Sequence, residues 1–152
     1  MRKIIFVCLG NICRSPMAEL VCKDMLDKRG LGDEFEISSA GTSDEEEGNP
    51  VYPPVARLLT GKGIDCTRKR ARQLTAADGD NCDLLVCMDD GNLRAAKRIV
   101  GERNAHKCVK LMSYTGADSS VADPWYTRDF QTCYDDVSRG LAAMLDTLLS
   151  ES

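Results

Sequence analysis

Residues 7–16 read Val7-Cys8-Leu9-Gly10-Asn11-Ile12-Cys13-Arg14-Ser15-Pro16, and this stretch predicts a strand, a tight loop and a helix in succession. The apolar run over 4–7 before the loop is typical of a buried strand. Apolar residues at helical spacing follow the loop, with Ser15 as the expected N-cap and Pro16 at the first helical position. A helix N-terminus gathers unpaired N–H groups and the positive end of the helix dipole, so we expect this loop to bind an anion.

The loop carries a thiol at its start, Cys8, and a guanidinium six residues later, Arg14. Arg14 can hold two oxygens of a phosphate-sized anion in a planar contact that lysine cannot reproduce. The helix start favours the thiolate of Cys8, and a thiolate held under a phosphoryl group is a nucleophile in position to attack. Gly10 and Asn11 permit the tight turn that such a loop requires. The alternative is a buried cysteine at a strand end, with an arginine that only caps a neighbouring group.

The composition is that of a globular protein. The chain has 152 residues and no internal repeat or long linker, so we expect one domain over 1–152. A net charge of −4 argues against nucleic-acid binding, and no apolar run approaches the length of a membrane span. The eight cysteines include no Cys-x-x-Cys pair and there is one histidine, so we expect no metal site. Reduced cysteines in the cytoplasm fit this pattern best.

Strand and helix patterns alternate along the rest of the chain. Strands are predicted over 35–38, 84–88 and 108–111, and longer helices over 53–62, 92–100 and 130–149. This alternation predicts an α/β fold, a single-domain four-stranded parallel sheet with helices on both faces and right-handed crossovers. Ligands of such sheets bind at the carboxyl ends of the strands, which places Asp89 near Cys8. Asp89 either orients groups of the loop or caps the helix that follows it.

A second motif, Asp123-Pro124-Trp125-Tyr126, follows the fourth predicted strand. Asp-Pro alone is an ordinary turn signal, and Trp125 alone suits a core. Beside a cysteine nucleophile the motif indicates a catalytic function, because the leaving oxygen of a phosphate ester needs a proton donor. Asp123 can supply that proton from a loop that Pro124 stiffens. Trp125 and Tyr126 can form an apolar slot for a flat aromatic group.

Together these motifs resemble the low-molecular-weight protein tyrosine phosphatase family. The resemblance covers essentially the whole chain in order and rests most on residues 7–16. Further matches are Ser39-Ala-Gly-Thr42, Gly48-Asn-Pro50, Ala71-Arg-Gln73, Cys87-Met-Asp89, Asn92-Leu-Arg94 and Asp123-Pro-Trp-Tyr126. The resemblance implies the Rossmann-like fold of that family. It also implies hydrolysis of phosphotyrosine and small aryl phosphates through a cysteinyl-phosphate, without a metal or another cofactor.

Three of these positions carry the reaction in the family. The resemblance implies that Cys8 is the nucleophile, that Arg14 holds the phosphate oxygens and that Asp123 is the general acid. Ser15 is expected to donate to the sulfur of Cys8 and to favour the leaving thiolate. It implies substrate contacts on the loop and on the second motif, at Leu9, Gly10, Asn11, Ile12, Cys13, Ser15, Trp125 and Tyr126. The expected partners are phosphotyrosine-containing proteins and a cognate tyrosine kinase, and the oligomeric state stays open.

The resemblance adds three expectations around this site. Ser39, alone an ordinary loop serine, is expected to hydrogen-bond Asn11 and so to support the loop. Cys13 is expected to form a reversible disulfide with Cys8 on oxidation, the alternative being a thiol packed under the loop. Glu45 stands where the family often has an aromatic side chain at the mouth of the active site, which leaves the substrate preference open.

Three other functions use a similar loop or fold. Protein-arginine phosphatases resemble this pattern, but the resemblance implies threonine where this chain has Ile12. Arsenate reductase shares the Cys-x5-Arg loop and needs resolving cysteines, for which Cys82 and Cys87 are the candidates. A phosphate-sensing module on the same fold would bind anions without turnover. The presence of both Cys8 and Asp123 argues against such a module.

Overall fold

The computed structural model describes residues 1–151. Its strands are β1 (Arg2–Cys8), β2 (Phe35–Gly41), β3 (Leu84–Cys87) and β4 (Cys108–Lys110). They form one parallel sheet in the order β2-β1-β3-β4. The helices are α1 (Arg14–Lys28), α2 (Pro53–Gly61), α3 (Ala76–Asn81), α4 (Asp90–Val100), α5 (Pro124–Thr127) and α6 (Phe130–Ser150). Short 3₁₀ turns occupy Gly32–Glu34, Ala105–Lys107 and Leu111–Thr115.

The central strand β1 contributes to a core on each face of the sheet, because successive side chains of a strand point to opposite faces. Ile4 and Phe6 pack with residues of α1, α2 and α6 on one face. Ile5 and Val7 pack with residues of α4 on the other face. The predicted four-stranded parallel sheet with helices on both faces is therefore confirmed, and its middle strands are buried on both sides.

The predicted start of the first helix is wrong by two residues. α1 begins at Arg14, and Cys13 occupies the N-cap position without a side-chain capping bond. Ser15 was expected as the cap and Pro16 as the first helical residue. The hydroxyl of Ser15 contacts the sulfur of Cys8 from inside the first turn, which is the contact expected from the chemistry of the loop. This tertiary contact overrides the local capping preference.

Two other boundaries differ from the prediction. β2 continues to Gly41, through a segment predicted as a loop, because it pairs with β1 along its whole length. Asp123 caps the short helix α5, where the sequence indicated an open loop. As a result, Ser39 lies within a strand and Asp123 lies at the start of a helix.

The cysteines contribute to the core as thiols. All eight are free and buried, so no covalent link restrains the part of the chain that the structure describes. Over the same residues, no helix is both long enough and apolar enough to cross a membrane. The folded state therefore depends on apolar burial in the two cores.

The last residue of β2, Gly41, packs directly against the loop that follows β1. A Cβ atom placed on Gly41 would lie 2.7 Å from the carbonyl oxygen of Leu9, 3.1 Å from the carbonyl carbon of Gly10 and 3.2 Å from the nitrogen of Asn11. All three are backbone atoms, so no movement of a side chain can relieve the steric clash. Glycine is therefore required at this position to let the loop approach the sheet.

We expect Gly41→Ala to reduce both stability and anion binding. The added methyl group must displace the loop backbone, at a cost of about 1–3 kcal/mol in the free energy of unfolding. Gly61→Ala is the matched control, since a Cβ atom there meets nothing within 4 Å. Urea denaturation and phosphate titration of both variants measure the effect. Equal stability and equal phosphate affinity in the two variants would contradict this packing argument.

Candidate active site

The loop between β1 and α1, residues 8–14, is called the anion loop below. Cys8 ends β1, and its side chain is almost fully buried. Its Sγ atom lies 2.9 Å from the hydroxyl of Ser15 and accepts a bond from the backbone N–H of Ser15 at 3.4 Å. Ser15 lies in the first turn of α1, so the sulfur faces the positive end of that helix. Two donors and the helix dipole therefore act on a thiolate at Cys8.

Asn11 holds the turn of the anion loop. Its φ of 60° lies in the left-handed region, which asparagine tolerates better than most residues. Its side-chain amide donates to the hydroxyl of Ser15 at 2.8 Å and to that of Ser39 at 2.9 Å. Its side-chain oxygen accepts from the N–H of Arg72 at 3.0 Å. The bond implied between Ser39 and Asn11 is thus present, and the buried side chain of Asn11 fixes the loop from behind.

The support continues to a buried carboxylate that the sequence analysis missed, Glu19. The hydroxyl of Ser39 donates to Glu19 at 2.6 Å, and Lys69 and Lys23 form ion pairs with it at 3.1 and 2.8 Å. Burial would raise the pKa of Glu19, but the bonds from Lys23, Lys69 and Ser39 outweigh burial and lower it. Glu19 therefore stays ionised in the folded protein and anchors the serine that supports Asn11.

Arg14 is a buried cation with several partners. Its side chain is 3% exposed, and one guanidinium nitrogen donates to Asp89 at 2.6 Å and to the carbonyl oxygen of Val121 at 2.9 Å. The other terminal nitrogen lies 3.4 Å from a carboxylate oxygen of Asp123. Burial would lower the pKa of Arg14, but Cys8, Asp89 and Asp123 together raise it. The guanidinium is therefore fixed in orientation and remains charged.

The two aspartates that contact Arg14 come from different ends of the site. Asp89 also accepts a bond from the N–H of Asn92 at 2.7 Å, so it caps α4 and orients Arg14 at once. Both roles that the sequence left open for Asp89 are present. Asp123 accepts a bond from the N–H of Trp125 at 3.0 Å with its other oxygen, which fixes the carboxyl group at the start of α5.

Cys8, Arg14 and Asp123 meet at one cavity of about 170 Å³. The other predicted substrate contacts that line this cavity are Leu9, Gly10, Ile12, Cys13, Trp125 and Tyr126. Asn11 and Ser15 were also expected as substrate contacts, but they do not line it. Their side chains are buried and bonded to each other, to Cys8 and to Ser39. They support the loop from behind, while the exposed rings of Trp125 and Tyr126 form the outer wall.

Tyr52 joins the two halves of the site and was not among the residues predicted for it. Its backbone N–H donates to the carbonyl oxygen of Ile12 at 3.0 Å, and its ring centroid lies 4.9 Å from that of Trp125. Its hydroxyl accepts from Arg128 at 3.0 Å. Arg128 has a φ of 59° and stacks on the rings of Tyr52 and Phe130. The ring of Tyr52 thus packs α5 against the anion loop.

The mouth of the cavity is acidic on one side. Glu45, which was expected at the mouth, lines it together with its neighbour Glu46 and with Ser43. Glu46 accepts a bond from the side chain of Asn49 at 2.6 Å, so its carboxylate is held in place. An apolar aromatic wall is therefore present only on the side of Trp125.

Two cysteines outside the anion loop were candidates for a redox role with Cys8, and they do not line this cavity. Cys82 and Cys87, the candidate resolving cysteines, pack in the core on the opposite face of the sheet from Cys8. Burial raises the pKa of Cys87, which opposes thiolate formation there. In the described part of the chain, no group of three or more histidine, cysteine or acidic side chains could hold a metal ion. The arrangement therefore disfavours a disulfide relay from Cys8 to this pair.

Sequence comparisons agree with the geometry. A family model for low molecular weight phosphotyrosine protein phosphatase matches residues 3–152. The protein-tyrosine-phosphatase YfkJ of Bacillus subtilis, also of low molecular weight, is 34% identical over 154 residues, which cover 99% of this chain and 98% of that protein. The low molecular weight protein-tyrosine-phosphatase of Streptomyces coelicolor is 40% identical over 152 residues, covering 94% and 91%.

Solved structures show the same fold. The crystal structure of YfkJ from Bacillus subtilis superposes with a TM-score of 0.95 at 33% identity, over 100% of this chain and 97% of that chain. The YwlE arginine phosphatase of Bacillus subtilis, in a mutant with a phosphorylated active-site serine, superposes with a TM-score of 0.85 at 28% identity. That match covers 96% of this chain and 95% of that chain.

Glu19→Gln should remove an acid-sensitive part of the stability. The folded-state pKa of Glu19 lies below its ordinary value of 4.5, so its contribution is present above that value and is lost as the pH falls through the folded-state pKa. We expect the variant to be about 1–3 kcal/mol less stable at neutral pH. The difference from wild type should shrink as the pH falls below 4.5.

Urea denaturation across this pH range measures the difference. Glu36→Gln is the matched control, because Glu36 is an exposed carboxylate with a long contact of 3.7 Å to Lys3. A stability difference between wild type and Glu19→Gln that stays constant with pH would contradict the assignment.

Proposed function

The chain belongs to the low molecular weight phosphotyrosine protein phosphatase family, and on this premise we propose that Cys8, Arg14 and Asp123 hydrolyse phosphotyrosine in two steps without a metal. The observation that supports this most directly is their meeting at one small cavity from two distant segments of the chain, the anion loop and the start of α5. A nucleophile, a fixed cation and a carboxylic acid are the three groups that the reaction needs.

The first step transfers the phosphoryl group to the enzyme. The thiolate of Cys8 attacks phosphorus, the S–P bond forms, and the bond from phosphorus to the tyrosine oxygen breaks. Asp123 donates its proton to the departing oxygen, so tyrosine leaves neutral. Arg14 and the backbone N–H groups of the anion loop hold the other phosphate oxygens. Because Asp89 and the carbonyl of Val121 orient Arg14 beforehand, little reorganisation accompanies the step.

The second step returns the enzyme to its starting state. Asp123, now ionised, accepts a proton from water, and the resulting oxygen nucleophile attacks phosphorus. The S–P bond breaks and phosphate leaves. The hydroxyl and N–H of Ser15 are placed to stabilise the departing thiolate of Cys8. The phosphorylated serine of the YwlE mutant supports a covalent intermediate at this position of the fold.

The cavity walls favour phosphotyrosine over phosphoarginine. Ile12 presents an apolar side chain to the cavity, and Trp125 and Tyr126 offer flat apolar surfaces to an aromatic ring. Phosphoarginine is the second candidate, because Glu45 and Glu46 at the mouth offer charge partners for a guanidinium. The similarity to the YwlE arginine phosphatase is a reason to assay phosphoarginine beside phosphotyrosine.

The proposed substrates are phosphotyrosine-containing proteins, and a tyrosine kinase is the class of enzyme that must supply them. The eight free cysteines support a reducing compartment, and we place the protein in the cytoplasm on that ground. The single domain over 1–152 suffices for this chemistry, because every group in the proposed steps lies between Cys8 and Asp123.

We expect wild-type protein to hydrolyse para-nitrophenyl phosphate in the presence of EDTA, and Cys8→Ser to have no measurable turnover. Asp123→Asn should retain weak activity, reduced by about 10²–10⁴-fold, because it removes only the proton transfer. The loss in Asp123→Asn should be larger with phenyl phosphate, whose leaving oxygen is more basic and depends more on the acid.

Asp135→Asn is the matched control for Asp123→Asn, since Asp135 is an exposed carboxylate on α6. Phosphotyrosine and phosphoarginine peptides assayed with the same proteins separate the two substrate classes. Full activity of Cys8→Ser, or loss of wild-type activity with EDTA, would overturn the proposed chemistry.

We also propose that Cys13 protects Cys8 from irreversible oxidation. Peroxide oxidises the Cys8 thiolate to a sulfenic acid, and the thiol of Cys13 then displaces water to form a disulfide. Both residues line the same cavity. Burial, the largest effect, and the nearby Cys8 raise the pKa of Cys13 to about 12. Because little Cys13 is ionised at neutral pH, the disulfide should form slowly there, and its rate of formation should increase with pH.

Mass spectrometry after mild peroxide treatment tests this proposal. We expect a Cys8–Cys13 disulfide whose reduction restores activity, and accumulation of sulfinic acid on Cys8 in Cys13→Ala. Cys22→Ala, which removes another buried thiol of α1, is the control. Sulfinic acid on Cys8 in wild type without a disulfide would contradict the protective role.

A further inference from the structure

A second cavity adjoins the catalytic cavity on the side of α4 and is called the α4 groove below. Its volume is about 590 Å³, within the range of about 300–1,000 Å³ that is usual for binding sites. Arg14, Asp123 and Tyr126 line both cavities. The α4 groove therefore begins at the catalytic groups, where the residues on one side of a bound phosphotyrosine must pass.

One charge in the α4 groove is unpaired. Arg14, Asp89 and Asp123 also line the groove, but these three are bonded to one another. Arg98 is exposed at the groove, and it forms no ion pair with any of residues 1–151. Arg94 is exposed one turn before Arg98 on α4 and extends this basic surface.

The other side of the catalytic mouth has the opposite charge. Glu45 and Glu46 line the catalytic cavity but not the α4 groove. Glu46 is fixed by Asn49, and its side chain lies against Gly10 of the anion loop. The phosphotyrosine site therefore lies between a basic surface on α4 and an acidic surface on the loop before α2.

On the basis of the proposed function, we propose that the α4 groove is a substrate subsite for an acidic residue flanking the phosphotyrosine, and that Glu45 and Glu46 face a basic flank. A carboxylate in the groove pairs with Arg98 in the planar geometry that arginine favours. The same carboxylate on the other flank meets Glu45 and Glu46 and is repelled. The preferred substrates are thus phosphotyrosine segments with acidic residues on one side and basic residues on the other.

Two phosphotyrosine peptides with oppositely ordered charged flanks test this subsite. One has two glutamates before the phosphotyrosine and two lysines after it, and the other has the reverse order. Their composition and net charge are equal, so general electrostatic attraction cancels. We expect kcat/KM of wild type to differ between them by about three- to tenfold. The ratio should fall toward one in high salt, because the charges are exposed.

Charge reversal should reverse the preference. Arg98→Glu should reduce the ratio between the two peptides, and Arg98→Glu combined with Glu45→Lys should invert it. Arg68→Glu is the matched control, since Arg68 is exposed, changes the net charge equally and lines neither cavity. Each comparison is a ratio within one protein, so a general loss of activity does not affect it.

The outcomes separate this subsite from the proposed function. Equal rates for the two peptides in wild type, or a ratio that Arg98→Glu leaves unchanged, would overturn the subsite. Failure of wild type to hydrolyse both para-nitrophenyl phosphate and a phosphotyrosine peptide with uncharged flanks would overturn the proposed function itself.

Discussion

The buried positive charge of Arg14 is the constraint on which the site depends. A guanidinium that is 3% exposed is costly unless it has charged partners and hydrogen bonds. Asp89 from the end of β3 supplies one partner, and the carbonyl of Val121 supplies a second. The N–H of Val121 in turn donates to the carbonyl of Met88 at 2.8 Å. The need to satisfy one cation therefore ties the segment that carries Asp123 to the carboxyl end of the sheet.

The anion loop has a similar dependence on distant residues. Its left-handed turn at Asn11 is held by Ser39 from β2 and by the backbone of Arg72. Behind Ser39, the ionised Glu19 pairs with Lys69. These contacts shape the loop without involving the substrate, which is the preorganisation that electrostatic catalysis requires.

The sequence predicted what depends on local pattern and on the topology of parallel sheets. The alternation of strands and helices indicated the sheet, and the rule for carboxyl ends placed Asp89 beside the anion loop, where it contacts Arg14. The cap at Ser15 was wrong because its hydroxyl serves a sulfur seven residues away in the chain. A local capping preference cannot show that a side chain is bonded to a group distant in the sequence.

The missed residues follow the same logic. Glu19 and Lys23 are four residues apart, which is typical of an exposed ion pair on a helix surface. Only the tertiary contacts to Ser39 and Lys69 show that Glu19 is buried. Tyr52 belongs to no motif, and its position is decided by the ring of Trp125, more than seventy residues later. Neither role could be read from the spacing of residue types.

The two carboxylates around Arg14 are held unequally, and this has a consequence for catalysis. Asp89 lies 2.6 Å from the guanidinium, whereas Asp123 lies 3.4 Å from it. An incoming phosphate competes for the guanidinium, and it displaces the longer contact at lower cost. Binding of substrate thereby frees an oxygen of Asp123 while Asp89 keeps Arg14 in place. In the proposed reaction, the oxygen released from Arg14 is then available to the leaving group, so phosphate binding itself completes the arrangement of the proposed general acid.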